Sequence, residues 1–137
     1  GLFVAALDLP VNPDVILATV LDGDPAHAGE RIVRGFLSVW DATGGGPFVA
    51  LLRSVATHEA AARMMREFVL DVLFRRLTDT LGADQPALRA SLCASQMVGL
   101  GMARYVIKLD PLASADARTL ASAIGPNLQR YLTGSLT

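Results

Sequence analysis

Charged residues are scarce in this sequence, and lysine is almost missing. Only 18% of the 137 residues are charged, against about 25% in typical globular proteins, and 11 of the 12 basic residues are arginine. The formal net charge is −1 at pH 7, and no stretch concentrates basic residues on one face. Because nucleic-acid phosphates are neutralised by clustered lysine and arginine, the composition argues against nucleic-acid binding by this chain itself.

The chain also has no long apolar run and only one cysteine. Its longest stretch without charge, Ala90–Ala103, includes Ser91, Ser95 and Gln96 and is shorter than the roughly 18–20 apolar residues that span a membrane. The first residues show neither the basic segment nor the cleavage site of a secretory signal. Cys93 cannot form an internal disulfide. We therefore expect a cytoplasmic protein without a membrane association.

Motifs for catalysis, metals and cofactors are missing as well. His27 and His58 are expected at exposed helix starts, and neither has a second ligand at metal-binding spacing. Cys93 lies in an apolar pattern without an identifiable base. The glycine run Gly44–Gly46 is not followed by Lys-Ser/Thr, so it predicts a loop instead of a phosphate cradle. The sequence predicts no enzyme, no metal site and no cofactor.

What the sequence does contain is apolar surface in excess. Hydrophobic residues make up 52% of the chain, which fits one domain of ordinary size. A domain of this length can hardly bury so much apolar surface alone. The composition therefore predicts a partner surface, an internal apolar cavity, or both.

Helical periodicity recurs throughout, and no stretch alternates like a strand. The expected fold is all-α, an antiparallel bundle of about six helices. Capping signals open helices at Asn12-Pro13-Asp14, Asp24-Pro25, Pro47, Asp84-Gln85-Pro86 and Ser114. Thr57 opens the longest helix, which reaches about Leu81 and whose apolar residues change sides midway. Gly125-Pro126 is expected to kink the last helix.

The penultimate helix carries two adjacent rows of small and apolar residues at alternating steps of four and three. The second row comprises Leu88, Leu92, Ser95, Gly99, Met102 and Val106. Excess apolar surface on the last two helices suits a symmetric dimer, so we expect these helices to form a four-helix interface with a second copy. The predicted interface residues, which include the first row, are Ala87, Ser91, Ala94, Val98, Gly101, Tyr105, Leu120, Ile124, Leu128 and Tyr131.

Apolar residues of the middle helices suggest a pocket for a small apolar or aromatic molecule. The predicted lining is Phe36, Trp40, Phe48, Leu52, Met65, Phe68 and Gln96. Simple core packing explains the apolar members equally well. Gln96 lies in an otherwise apolar helix, where its amide needs a partner, and a ligand, a second subunit or an internal hydrogen bond would each supply one.

Three segments resemble a known family: Gly1–Leu7, Ser95–Tyr105 followed by Asp110–Ser114, and Ile124–Gly134. They are similar to the connecting helix, the penultimate helix with its turn, and the final helix of the C-terminal ligand-binding and dimerisation domain of tetracycline-repressor-like (TetR) regulators. The resemblance places residues 1–137 in this domain. It implies that the family's N-terminal helix-turn-helix domain, of about 50 residues, is missing here.

This resemblance implies a homodimeric bacterial transcriptional repressor that contacts operator DNA only through the missing domain. A small apolar effector would enter the helical domain, shift the connecting helix and change the spacing of two DNA-reading heads that match half-sites roughly 34 Å apart. Reasoning from the residues alone leaves one alternative open: a helical homodimeric interaction module without a ligand pocket.

Overall fold

A computed structural model describes residues 12–137 of the chain. Helices account for 79% of these residues, and no strand occurs among them, which confirms the expected all-α fold. The segment Gly1–Leu7, which resembles the family's connecting helix, lies outside the described residues.

Six helices and a short 3₁₀ helix, Pro25–His27, account for these helical residues. Helix α1 is Pro13–Leu21, α2 is Ala28–Asp41 and α3 is Gly46–Thr57. Helix α4 joins Glu59–Arg66, a π-helical segment Glu67–Phe74, and Arg75–Leu81. Helix α5 joins Pro86–Gly101 and a π-helical segment Met102–Val106, and α6 is Ala117–Thr133.

Most helices begin at the predicted signals. The side chain of Asn12 accepts a hydrogen bond from the backbone N–H of Asp14 at 2.9 Å and caps α1. The prediction for the last helix was wrong by two residues, because Asp116, not Ser114, caps α6. Its carboxylate accepts the backbone N–H of Thr119 at 2.7 Å, whereas the hydroxyl of Ser114 donates to the side chain of Asp110.

The π-helical segment explains why apolar residues change sides along α4. Bonding from i to i+5 turns the following side chains relative to a regular α-helix. Ala61 and Phe68 are buried before and within the segment, and Phe74 and Leu77 are buried at its end and beyond it. One helix therefore contacts different neighbours at its two ends: α3 near its start and α5 and α6 near its end.

The main packing contact of the fold joins α2 to α6. The helices approach closely because glycines face each other: a Cβ on Gly125 would lie 2.8 Å from the Cα of Glu30, and a Cβ on Gly29 would lie 2.7 Å from the backbone nitrogen of Gln129. The amide oxygen of Gln129 also accepts the backbone N–H of Gly29 at 2.9 Å. A side chain from α6 thus satisfies the start of α2, where His27 provides no cap.

Arg89 fixes the antiparallel arrangement of α5 and α6. Its guanidinium donates to the backbone oxygens of Arg130 and Tyr131, at 3.3 and 3.0 Å, and to the carboxylate of Asp84 at 2.7 Å. The residue is only 4% exposed, and it donates to two backbone oxygens in the last turn of α6, where carbonyls begin to lack partners within the helix. The start of α5 therefore lies beside the end of α6.

Candidate effector and dimerisation sites

A cluster of four aromatic rings forms where α2, α3 and the end of α5 meet. We call Phe36, Trp40, Phe48 and Tyr105 the aromatic cluster. Phe48 is central: its ring centroid lies 5.3 Å from Trp40, 5.6 Å from Tyr105 and 5.8 Å from Phe36. These tilted and edge-to-face arrangements are the favoured geometries of contacting rings. The rings contact one another directly, so a molecule that binds among them must displace a ring.

Two glycines hold rings of the cluster against backbone. Gly101 packs on the ring of Phe48, and Gly45, with φ of 82°, packs on the ring of Tyr105. A Cβ at either glycine would overlap the ring. The position of Phe48 is therefore coupled directly to the backbone of α5.

The edge of the aromatic cluster carries a polar group that we call the Asp41 network, formed by Asp41, Arg104 and Tyr105. Arg104 donates two hydrogen bonds to the carboxylate of Asp41, at 3.0 and 2.9 Å, and the hydroxyl of Tyr105 donates a third at 2.6 Å. Arg104 also donates to the backbone oxygens of Leu112 and Ala115, at 3.1 and 2.7 Å. The network thus joins the end of α2 to α5 and to the α5–α6 connection.

The protonation states follow from these contacts. Burial acts to raise the pKa of Asp41, but the hydrogen bonds from Arg104 and Tyr105 and the charge of Arg104 outweigh it, so the pKa lies below its ordinary value. Burial and the hydrogen bond to Asp41 raise the pKa of the Tyr105 hydroxyl. Asp41 is therefore ionised and Tyr105 is a neutral donor at neutral pH.

Arg104 and Tyr105 are consecutive residues, yet both reach one carboxylate. They lie in the π-helical segment Met102–Val106, and π-helical turns are frequent at functional sites because they reorient side chains. The same segment carries Met102 and Val106, which are 36% and 42% exposed. This short segment therefore directs Arg104 and Tyr105 to the Asp41 network and Met102 and Val106 to the surface.

The predicted pocket residues fall into two groups. Phe36, Trp40, Phe48 and Leu52 pack together in the aromatic cluster or against it. Of the other three, Met65, Phe68 and Gln96, the two hydrophobic residues do not pack against this cluster within the described part of the chain. Phe68 is buried and the other two are half-buried. Sequence periodicity identified the face of each helix but not which faces meet.

A charge-free surface follows α5 from Leu88 to Val106, and we call it the apolar face. It comprises Leu88, Leu92, Ser95, Val98, Gly99, Met102 and Val106. Leu88 is 47% exposed and Val98 is 41% exposed. The hydroxyl of Ser95 donates to the backbone oxygen of Leu92 at 2.7 Å, so its polar group is satisfied within the helix. Exposed apolar surfaces of this kind mark interaction sites.

The predicted interface residues differ in their burial within the subunit. Gly101, Tyr105, Leu120 and Leu128 are buried within the subunit, because they contact the aromatic cluster or the core between α2, α5 and α6. Little or none of their surface is exposed in the single subunit. Ala87 and Val98 are exposed, and Ser91, Ala94, Ile124 and Tyr131 are half-buried. The exposed residues of α5 belong mainly to the second row, one helical position further along.

Comparisons with known proteins identify the family. Residues 26–132 match the family described as tetracyclin repressor-like, C-terminal domain. The crystal structure of a TetR-family regulator from Streptomyces coelicolor A3 is 37% identical in sequence, with a TM-score of 0.69, and the match covers 96% of this chain and 88% of that chain. The chain belongs to the TetR family. Among curated proteins, none matches this sequence.

TetR-family proteins are generally transcription regulators and not enzymes, and the C-terminal match supports a role in ligand binding and dimerisation. Within residues 12–137, no group of three His, Cys, Asp or Glu side chains is arranged to hold a metal ion. In the same range, no helix has the length and hydropathy needed to cross a membrane.

Sequence reasoning missed three polar residues that organise this TetR domain: Arg89, Arg104 and Gln129. Each is a polar side chain within a helix that is otherwise largely apolar or small, and each bonds backbone atoms of another element. An isolated arginine in an apolar helix was the available signal, since such a charge must find partners when buried. The identity of those partners depends on the packing of distant helices.

Proposed function

We propose that this TetR-family domain forms a homodimer through the apolar face of α5 and senses a small apolar or aromatic effector at the aromatic cluster, as the regulatory part of a transcriptional repressor. Support for the dimer comes from one observation above all: the apolar face is exposed, carries no charge and includes Gly99, beside which a Cβ would meet no other atom within 4 Å. Small residues allow helix backbones to approach closely.

The residues of α6 also support the proposal that a second copy of the chain is the partner. Its exposed positions between Arg118 and Arg130 are the uncharged residues Thr119, Ser122, Ala123, Pro126 and Asn127. A self-complementary interface needs no opposite charges, since the same patch occurs on both subunits. Depletion of charge is typical of the centre of protein interfaces.

The dimer is tested by Val98→Arg, which places a charge at the middle of the apolar face. An unpaired charge at a closed interface costs several kcal/mol, so the dimer dissociation constant should rise at least about 100-fold, while the helical circular dichroism stays unchanged. The measurement is sedimentation equilibrium across a range of protein concentrations.

Val15→Arg is the matched control, because Val15 is an exposed valine, 60% accessible, on α1. It should leave the dimer unchanged. A wild-type chain that stays monomeric at high concentration, or a Val98→Arg variant that dimerises like wild type, would refute the proposed interface.

The effector site has its own probe, because Trp40 is the only tryptophan of the chain and lies in the aromatic cluster. A small aromatic molecule such as naphthalene that displaces a ring should change the Trp40 emission and raise the melting temperature together. Binding at 100 times the dissociation constant stabilises the native state by about 2.7 kcal/mol. Tryptophan amide in the same solutions controls for quenching without binding.

The alternative, a homodimeric helical module without a ligand pocket, is favoured by the direct contacts among the rings. It predicts neither a melting shift nor a specific emission change with any apolar aromatic compound. A melting shift without a change in Trp40 emission would place the effector site outside the aromatic cluster.

A further inference from the structure

The Asp41 network lies between the two proposed sites and contacts the elements of both. On one side, Tyr105 contacts Phe48 in the aromatic cluster. On the other side, Tyr105 precedes Val106, which is on the apolar face. Because the backbone of Gly101 lies against Phe48, displacement of that ring presses directly on the helix that carries the apolar face.

Arg104 extends this connection to the last helix. Its side chain is 11% exposed and donates to the carboxylate of Asp41 and to two backbone oxygens of the α5–α6 connection. Planar guanidinium groups with several donors hold such arrangements rigidly. A shift of the π-helical segment must therefore either carry the end of α2 and the α5–α6 connection with it or break these hydrogen bonds.

We infer that the Asp41 network couples the packing of the aromatic cluster to the affinity of the dimer. Displacement of Phe48 shifts the π-helical segment, and the shift moves Met102 and Val106 on the apolar face. By thermodynamic linkage, dimerisation affects the packing of the cluster by the same free energy. This inference rests on the proposed function, because it requires that the apolar face forms a dimer.

The test is a double-mutant cycle on the dimer dissociation constant. Phe48→Leu alters the cluster at a residue that is only 3% exposed and so cannot belong to the interface itself. It should change the dissociation constant about fivefold or more, within the usual range of coupling between sites. Asp41→Asn weakens the network. In a protein that carries Asp41→Asn, adding Phe48→Leu should alter the dimer dissociation constant by less than about twofold.

Phe74→Leu is the matched control for general destabilisation. Phe74 is 4% exposed and belongs to the main core, outside the aromatic cluster. It should lower the free energy of unfolding as much as Phe48→Leu does, yet leave the dissociation constant within about twofold of wild type. Sedimentation equilibrium and urea unfolding on the same samples separate the two effects.

Tyr105→Phe provides a second route if Phe48→Leu does not fold. It keeps the ring in the cluster and removes only the hydroxyl that donates to Asp41. It should shift the dissociation constant in wild type and have no further effect with Asp41→Asn. If neither Phe48→Leu nor Tyr105→Phe changes the dimer dissociation constant, this inference is wrong but the proposed function stands. If the wild-type chain is monomeric, the proposed function is wrong as well.

Discussion

Replacing Gly29 with alanine should destabilise the fold, whereas the same replacement at Gly35 in the same helix should stabilise it. At Gly29, the new Cβ would lie 2.7 Å from the backbone nitrogen of Gln129 and 3.2 Å from its Cα. Backbone atoms cannot rotate away, so α2 and α6 must separate along their whole contact. At Gly35, no atom lies within 4 Å of the new Cβ.

The expected magnitudes follow from these distances. Overpacking costs about 1–3 kcal/mol, and lengthening the hydrogen bond between Gly29 and Gln129 costs about 1 kcal/mol more. The higher helix propensity of alanine than of glycine stabilises the helix by at most about 1 kcal/mol. Gly29→Ala should therefore lower the free energy of unfolding by about 1–3 kcal/mol, and Gly35→Ala should raise it by up to about 1 kcal/mol.

Thermal unfolding followed by circular dichroism measures both changes, with all variants at one protein concentration because the proposed dimerisation would make the melting temperature depend on concentration. For a domain of this size, each kcal/mol corresponds to about 3–5 °C. A shift of the melting temperature in the same direction for both variants would contradict this prediction, because close helix contact would then not distinguish the two glycines.

Two further predictions concern buried or partly buried charge. Arg89→Met should lower the free energy of unfolding by about 1–3 kcal/mol, because the backbone oxygens of Arg130 and Tyr131 each lose a hydrogen bond, whereas the exposed Arg118→Met should change the urea midpoint little. Because Arg104 and Tyr105 lower the pKa of Asp41, the carboxylate stabilises the fold above its ordinary pKa of 3.8, and this stability is lost as pH falls through the lowered value. In urea unfolding from neutral to acidic pH, the free energy of unfolding of Asp41→Asn should fall less steeply with decreasing pH than that of wild type. An identical dependence on pH would contradict this assignment.

Local signals predicted the helices well, and contacts between helices limited the prediction of the sites. Asn12 and Pro47 open helices where expected, because caps and prolines act on the residues beside them. The two rows on α5 are one residue apart, and periodicity alone does not determine which one faces the core. The π-helical segments and the packing of Phe48 on Gly101 decide this, and neither has a signal in a short sequence window.

The amino-acid sequence by itself determined an all-helical chain with too much apolar surface for one small domain, because helix periodicity, capping and composition depend on neighbouring residues and simple totals. Tertiary structure alone decided that Arg104 and Tyr105 share the carboxylate of Asp41, that Gln129 caps a helix about 100 residues away in the chain, and that Val98 is exposed while Gly101 is buried. These properties arise from contacts between helices distant in sequence, where a rotation of a helix by one residue, about 100°, changes which of its side chains are buried.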